Sequence, residues 1–141
     1  MTPLQQGQSV ATTIARVIIG IIFFAHGWQK FFTNGIDNVA AGFEQMGVPA
    51  PTFSAWFAGL VELVGGAALI VGLAVPLFAV LLIIDMIGAI VTVHLDQGFW
   101  ASDGGYELCL ALIAGLIAIG FASQGRLSVD GNVLAARQQN K

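Results

Sequence analysis

The stretch that decides the fold is Ala55-Trp-Phe-Ala-Gly-Leu-Val-Glu-Leu-Val-Gly-Gly-Ala-Ala-Leu-Ile-Val-Gly-Leu73. About 20 apolar residues, each rising ~1.5 Å, span the ~30 Å hydrocarbon layer of a bilayer as a helix. One acid, Glu62, lies near the middle, where a carboxylate costs about 2.5–3.5 kcal/mol unless a proton or a cation neutralises it. Gly59, Gly65 and Gly66 remove side-chain bulk nearby, so another helix can approach closely. The stretch therefore predicts a membrane helix whose acid meets a partner.

The composition of the whole chain is that of a membrane protein. Of its 141 residues, 57% are hydrophobic and only 9% are charged, whereas soluble domains carry nearer a quarter charged residues. The net charge of −3 leaves no basic surface for nucleic acid. The single cysteine, Cys109, excludes an intramolecular disulfide and any Cys-x-x-Cys metal or dithiol site, and no metal is expected.

Hydropathy and breaker residues divide the chain into four predicted spans in an all-α four-transmembrane-helix bundle. The spans cover residues 11–32, 53–74, 76–94 and 106–121, within a membrane domain of residues 11–122. Residues 1–10 are expected to form a polar N-terminal tail, and residues 123–141 a polar C-terminal tail. Between the first two spans, residues 39–46 favour a short helix lying on the membrane interface.

The distribution of charges predicts the orientation of the bundle. The connections after the first and third spans carry Asp37, Glu44, Asp96 and Asp103 but no Lys or Arg. The C-terminal tail carries three cations, so the positive-inside rule places it, and with four spans the N-terminus too, in the cytoplasm.

Seven ionisable residues lie within or beside the predicted spans. At ~100° per residue, Arg16, Gly20, Phe23, Gly27 and Lys30 form one stripe of the first helix, with His26 at its edge. Helix rise places most of the ionisable residues in the outer half of the membrane, Asp85 just beneath them and Arg16 nearer the cytoplasm. The seven are Arg16, His26, Lys30, Glu62, Asp85, His94 and Glu107.

Four interpretations of this polar set remain open. Ion pairs such as Lys30 with Glu62 or Glu107 could simply fasten helices together. Alternatively, the set could bind a quinone, with His26 or Lys30 donating hydrogen bonds and Glu62 or Asp85 relaying protons. A bis-histidine haem is disfavoured, because His26 and His94 are two isolated histidines on different helices. Transport is disfavoured too, because four short spans lack the paired, interrupted segments of inverted-repeat carriers.

Several motifs, in their order and spacing, resemble the DoxX family of small bacterial membrane proteins. The resemblance covers about residues 14–121, and its motifs are Arg16-Val-Ile-Ile-Gly20, His26-Gly-Trp-Gln-Lys30, Gly47-Val-Pro49, Glu62-Leu-Val-Gly-Gly66, Asp85-Met86, Val93-His94 and Gly105-Tyr-Glu107. It implies a multi-pass, four-helix protein of the bacterial cytoplasmic membrane. The family is related to the small subunit of thiosulfate:quinone oxidoreductase, and other members are linked to soluble redox partners.

The hypothesis that follows is a membrane subunit of a quinone-linked oxidoreductase. Glu62 and Asp85 would handle protons, while His26, Lys30, Arg16, Glu107 and His94 would form the polar pocket. The alternative is a non-catalytic membrane scaffold that recruits soluble redox partners and whose buried charges serve only helix packing. A homo-oligomer is compatible with both.

Overall fold

The computed structural model describes residues 2–122 and 127–140, and these residues form helices and turns without a strand. Helix α1 is Pro3–Trp28 and continues into a π-helical turn, Gln29–Thr33; helix α4 is Val75–Ala89 and continues into a second π-helical turn, Ile90–His94. The other helices are α2 (Ile36–Gln45), α3 (Pro51–Val71), α5 (Glu107–Gly120) and α6 (Val129–Gln139), and two short 3₁₀ turns, Leu95–Gln97 and Ala101–Asp103, lie between α4 and α5.

Three helical stretches in the described residues are long and apolar enough to cross a membrane. They are Pro3–Thr33, Pro51–Val71 and Val75–Gln97, with 31, 21 and 23 residues, and each exceeds the roughly 20 residues that a span requires. Helix α5 is equally apolar in character but has only 14 residues, which is about 21 Å of helix.

Residues 3–10 do not form the polar tail that the sequence predicted, because α1 already begins at Pro3. The Gln5 backbone N–H donates to Thr2 Oγ1 (3.2 Å), and the Thr2 backbone N–H donates to Gln5 Oε1 (2.8 Å). This capping box and the proline in the first turn start the helix early. The apolar helix that follows then carries the polar residues along as its first turns.

Glycines hold α1 against α3, as the sequence predicted for Gly66. A Cβ on Gly66 would overlap the Phe24 backbone, and one on Gly20 would lie 2.8 Å from the Gly66 carbonyl oxygen. A Cβ on Gly27 would likewise overlap the Leu63 backbone. The predicted stripe of α1 is confirmed, since its buried residues are Arg16, Gly20, Phe23 and Gly27. Backbone-to-backbone packing of this kind brings Lys30 to the level of α3 where Glu62 lies.

The other half of the core lies between α4 and α5. Leu82 and Ala79 of α4 and Leu116 of α5 are fully buried, and a Cβ on Gly120 would lie 2.6 Å from Ala79 Cβ. Leu69 of α3 belongs to the same apolar cluster. The four helices α1, α3, α4 and α5 therefore surround one core, in which α4 packs against α3 and α5 against α1.

The segment after α5 is tied to the membrane helices instead of forming a free tail. Asp130 Oδ1 accepts from the Ala74 N–H (2.9 Å) and Asp130 Oδ2 from the Val75 N–H (3.0 Å), so this carboxylate caps α4. Arg16 Nη2 donates to the Leu127 carbonyl oxygen (2.9 Å). The predicted tail also includes residues 123–126 and 141, which lie outside the described residues. Through Leu127 and Asp130, the start of this segment is attached to the end of the bundle where α3 turns into α4.

Candidate functional site

A cavity of about 570 Å³ opens in the half of the bundle that carries α2. Residues of α1, α3, α4 and α5 form its walls, and Phe43 of α2 and Met46, which follows α2, contribute to its cover. The lining is mainly apolar, with Phe23, Phe57 and Leu112 among its walls. Five of the seven ionisable residues singled out in the sequence line this cavity: His26, Lys30, Glu62, Asp85 and His94.

An ion pair between α1 and α3 forms the polar centre of the cavity. Lys30 Nζ donates to Glu62 Oε2 at 2.5 Å, with side-chain exposures of 17% and 6%. Lys30 lies in the first π-helical turn, where the Asn34 N–H donates to the Gln29 carbonyl oxygen five residues earlier. A π turn holds one residue more than an α turn and so redirects the side chains around it. The pairing of Lys30 with Glu62 was one of the two pairings that the sequence offered.

Asp85 adds a second carboxyl group beside this ion pair. Its side chain lies within electrostatic range of both Glu62 and Lys30. The residue is 8% exposed, and its Oδ2 has no hydrogen-bond partner. One ammonium balances only one carboxylate, so a proton on the other carboxyl group would avoid a second buried negative charge. The cluster therefore has a place for one exchangeable proton and one unused acceptor atom.

Both histidines bond a backbone carbonyl oxygen through the same ring nitrogen, Nδ1. His26 Nδ1 is 2.8 Å from the Ile22 carbonyl oxygen, and His94 Nδ1 is 2.7 Å from the Gly104 carbonyl oxygen. A carbonyl oxygen can only accept, so Nδ1 of each ring carries the proton and donates. Nε2 of a neutral ring is then an acceptor. The sequence expected His26 to donate to a quinone oxygen, but this tautomer suits it to accept from a hydroxyl group.

Arg16 and Glu107 are not among the residues that line the cavity. Arg16 is 1% exposed and lies against Gly72, where a Cβ would overlap Arg16 Nη1. Glu107 Oε2 accepts from the Ala101 N–H (3.0 Å) and holds the loop before α5. Helix rise gave the depth of these residues but not the direction of their side chains. The structure thus separates them from the other five ionisable residues.

The thiol of Cys109 also lies at the cavity, whereas in the sequence this residue served only to exclude disulfides and Cys-x-x-Cys sites. Cys109 is 7% exposed, lines the cavity and lies within electrostatic range of Asp85 and Glu62. Its signal was the helical spacing of Cys109, Leu112 and Leu116, which places the three on one face of α5. Within residues 2–122 and 127–140, no three His, Cys, Asp or Glu side chains converge as a metal site.

Known proteins resemble this chain over most of its length. The sequence profile of the DoxX family matches residues 11–95. The "Uncharacterized membrane protein Rv3486" of Mycobacterium tuberculosis is 36% identical over 126 residues, which cover 82% of this chain and 76% of that protein. The "Putative oxidoreductase CatD" of Bacillus subtilis is 33% identical over 129 residues, which cover 92% of this chain and 91% of CatD. No solved structure matches the chain significantly. By its sequence profile and these relatives, the chain belongs to the DoxX family of membrane proteins.

Proposed function

We propose that this chain is the membrane component of a quinone-linked oxidoreductase and that its cavity binds the quinone headgroup. The observation that carries the proposal is the cluster of Lys30, Glu62 and Asp85 in the wall of an otherwise apolar cavity. Buried ionisable groups inside membrane helices are costly, and where they converge on a cavity they mark sites of function more often than of packing.

The residues present fit a quinone. The cavity volume of about 570 Å³ lies within the roughly 300–1,000 Å³ typical of small-molecule sites. A quinone ring is flat and apolar with two carbonyl oxygens, and its reduced form carries two hydroxyl groups. Lys30 supplies a donor for a carbonyl oxygen, while Asp85 Oδ2, which has no partner, and Nε2 of His26 supply acceptors for a hydroxyl. The aromatic rings of Phe23 and Phe57 supply apolar walls.

When bound, a quinone would supply a carrier of two electrons and two protons. The chain's own residues would provide the protons and the charge balance for it. One carboxyl group of the Glu62–Asp85 pair would release a proton, and the Lys30 ammonium would offset one of the two carboxylate charges that result. Nε2 of His26 would accept a hydrogen bond or a second proton. The apolar walls exclude water and so strengthen each of these interactions.

The electrons would come from another protein. The chain has a single cysteine and no nucleotide-binding fingerprint, so it lacks its own means of taking electrons from a thiol pair or a nicotinamide. A soluble redox partner at the membrane surface would supply them. The name of the relative, "Putative oxidoreductase CatD", supports the reaction class without indicating the donor. The proposal is compatible with a monomer or a homo-oligomer.

The proposed setting is the bacterial cytoplasmic membrane, crossed four times with both termini in the cytoplasm. Helix α5 would be the fourth span, extended by the residues on either side of its 14 helical residues. Its packing against α4 through Leu112 and Leu116 supports this, as does the absence of Lys and Arg from residues 33–52 and 95–105. Both relatives come from bacteria.

The alternative, a scaffold without catalysis, also has a specific observation in its favour. Lys30 and Glu62 already satisfy each other at 2.5 Å, and the ion pair lies beside the Gly27–Leu63 contact that joins the same two helices. A pair of this kind could serve only to fasten α1 to α3. The scaffold function does not explain Asp85, because its buried Oδ2 has no hydrogen-bond partner and therefore does not fasten one helix to another.

The Glu62→Gln substitution separates the two functions, because it keeps the shape of the side chain and removes its charge and proton exchange. If the cavity handles protons, quinone-dependent electron transfer in membranes should fall about a hundredfold, a typical effect of losing an acid–base group. The matched control is Glu44→Gln on α2, an exposed acid outside the cavity. Unchanged electron transfer in a well-folded Glu62→Gln protein would favour the scaffold.

A further inference from the structure

Gly88 of α4 is a helix glycine without a packing reason. A Cβ on Gly88 would have no atom within 4 Å, whereas a Cβ on Gly27 or Gly66 would meet the backbone of a neighbouring helix. Glycine inside a helix is less stable than alanine, because it has more backbone freedom to lose. Gly88 does line the cavity. Because Gly88 has no side chain, the cavity stays open in front of it.

The edge of α4 that carries Gly88 forms an opening of the cavity to the outside of the bundle. This edge carries Ile84 and Gly88 of α4 and Thr92 of the π-helical turn that continues it, spaced four residues apart. All three residues line the cavity. Ile84 is 51% exposed and Gly88 is also exposed. A residue that is both exposed and cavity-lining lies on the rim. This rim belongs to a helix long and apolar enough to cross the membrane, so lipid lies outside it.

The opposite side of the opening belongs to α3. Phe53 and Phe57, four residues apart, line the same cavity, and Phe53 is 71% exposed. A Cβ on Gly65 would lie 3.3 Å from Leu82, and in two antiparallel helices with this register Phe57 and Gly88 lie at similar depth. The rim is therefore apolar on both sides, with Lys30 and Glu62 further inside.

We infer that Gly88 determines specificity by keeping this opening wide enough for the apolar tail of a membrane-borne quinone. The inference rests on the proposed function and adds the substrate class to it: quinones with a long hydrocarbon tail, in preference to short, water-soluble ones. A ligand with a polar head and an apolar chain matches a site whose polar groups lie inside and whose exit is lined by phenyl rings and a bare glycine. The tail leaves between α3 and α4 into the acyl chains.

The test compares two quinones with the same headgroup, one with a decyl tail and one with a methyl group in its place, in nanodiscs that contain the purified chain. Gly88→Leu should lower the affinity for the decyl quinone more than that for the methyl quinone, so their ratio should fall about tenfold or more, a typical effect of blocking an apolar subsite. The matched control is Gly42→Leu on α2, where the added side chain also meets open space but does not line the cavity; its ratio should equal that of the wild type.

Gly88→Ala keeps the inference testable if leucine prevents folding. Alanine adds one methyl group at the rim and should shift the ratio in the same direction by a smaller factor, while raising thermal stability. A ratio that stays at the wild-type value in the folded variants, or an equal loss of both quinones, would overturn the inference. Failure of the proposed function looks different, because the wild-type chain would then bind neither quinone.

Discussion

The ion pair between Lys30 and Glu62 can be dissected by a double-mutant cycle, because stability and ligand binding respond to it differently. Lys30→Met removes the ammonium and keeps most of the side-chain length, so Glu62, with 6% exposure, is left in the cavity wall without its cation. Glu62→Gln removes the opposite charge. The double variant replaces the whole pair by two uncharged side chains of similar volume.

The expected magnitude follows from the burial of the two partners. Breaking a buried ion pair by removing one partner costs about 3–5 kcal/mol. The Lys30 side chain keeps 17% of its exposure, so we expect the lower end, about 3 kcal/mol, for Lys30→Met. That is roughly a hundredfold change in the unfolding equilibrium. The double variant should regain most of this stability, because removing both charges also removes the desolvation cost.

The assay is reversible unfolding in mixed micelles, followed by tryptophan fluorescence, together with quinone binding to each variant in nanodiscs. We expect the double variant to regain stability but not quinone binding, because it lacks both the Lys30 ammonium, which would donate to the quinone, and the Glu62 carboxylate. Full recovery of binding in the double variant would refute the reasoning, since it would show that the pair only fastens α1 to α3. Wild-type stability of Lys30→Met would refute the buried ion pair itself.

Three further predictions concern the packing, the C-terminal segment and the cofactor. Gly66→Ala should destabilise the fold by about 1–3 kcal/mol in the same unfolding assay, because the added Cβ would overlap the Phe24 backbone. The control Gly42→Ala should be neutral or stabilising, because its Cβ meets open space. Equal effects of the two substitutions would contradict the close approach of α1 and α3. Asp130→Ala should lower the free energy of unfolding by about 1–2 kcal/mol, because α4 loses the cap on the Ala74 and Val75 N–H groups. The same substitution should speed proteolysis within α6. Unchanged cleavage would show that the cap does not hold this segment. The purified protein should show no Soret band, because two buried carboxyl groups suit a quinone better than an apolar macrocycle, and a band that disappears in His26→Ala would establish haem instead.

The sequence predicted those features that depend on periodicity along one helix. The buried stripe of α1 follows from the spacing of Arg16, Gly20, Phe23 and Gly27, and the structure buries these four. The second span, predicted at residues 53–74, corresponds to α3, which begins at Pro51 and ends at Val71. Helix rise also placed both Lys30 and Glu62 in the outer half of the membrane, and the structure pairs them.

Features that depend on contacts between distant residues could not be predicted in this way. Asp130 caps a helix that begins 55 residues earlier, and Arg16 finds its carbonyl partner at Leu127; neither contact leaves a local signal. Glu107 has the right depth for the cavity, but the loop before α5 folds back and uses its carboxylate. The ring tautomer of His26 depends on a carbonyl one turn away, which periodicity alone does not reveal.

The most direct test of the central claim is photoaffinity labelling with an azido-quinone in membranes that contain the chain, followed by mass spectrometry of the labelled peptides. We expect labels on two segments that line the cavity, residues 53–62 in α3 and residues 84–94 in α4 and the π-helical turn after it. These labels should disappear when unlabelled quinone is added in excess. Labels confined to other parts of the chain, or labels on these segments that excess quinone does not displace, would contradict a quinone site at Lys30, Glu62 and Asp85.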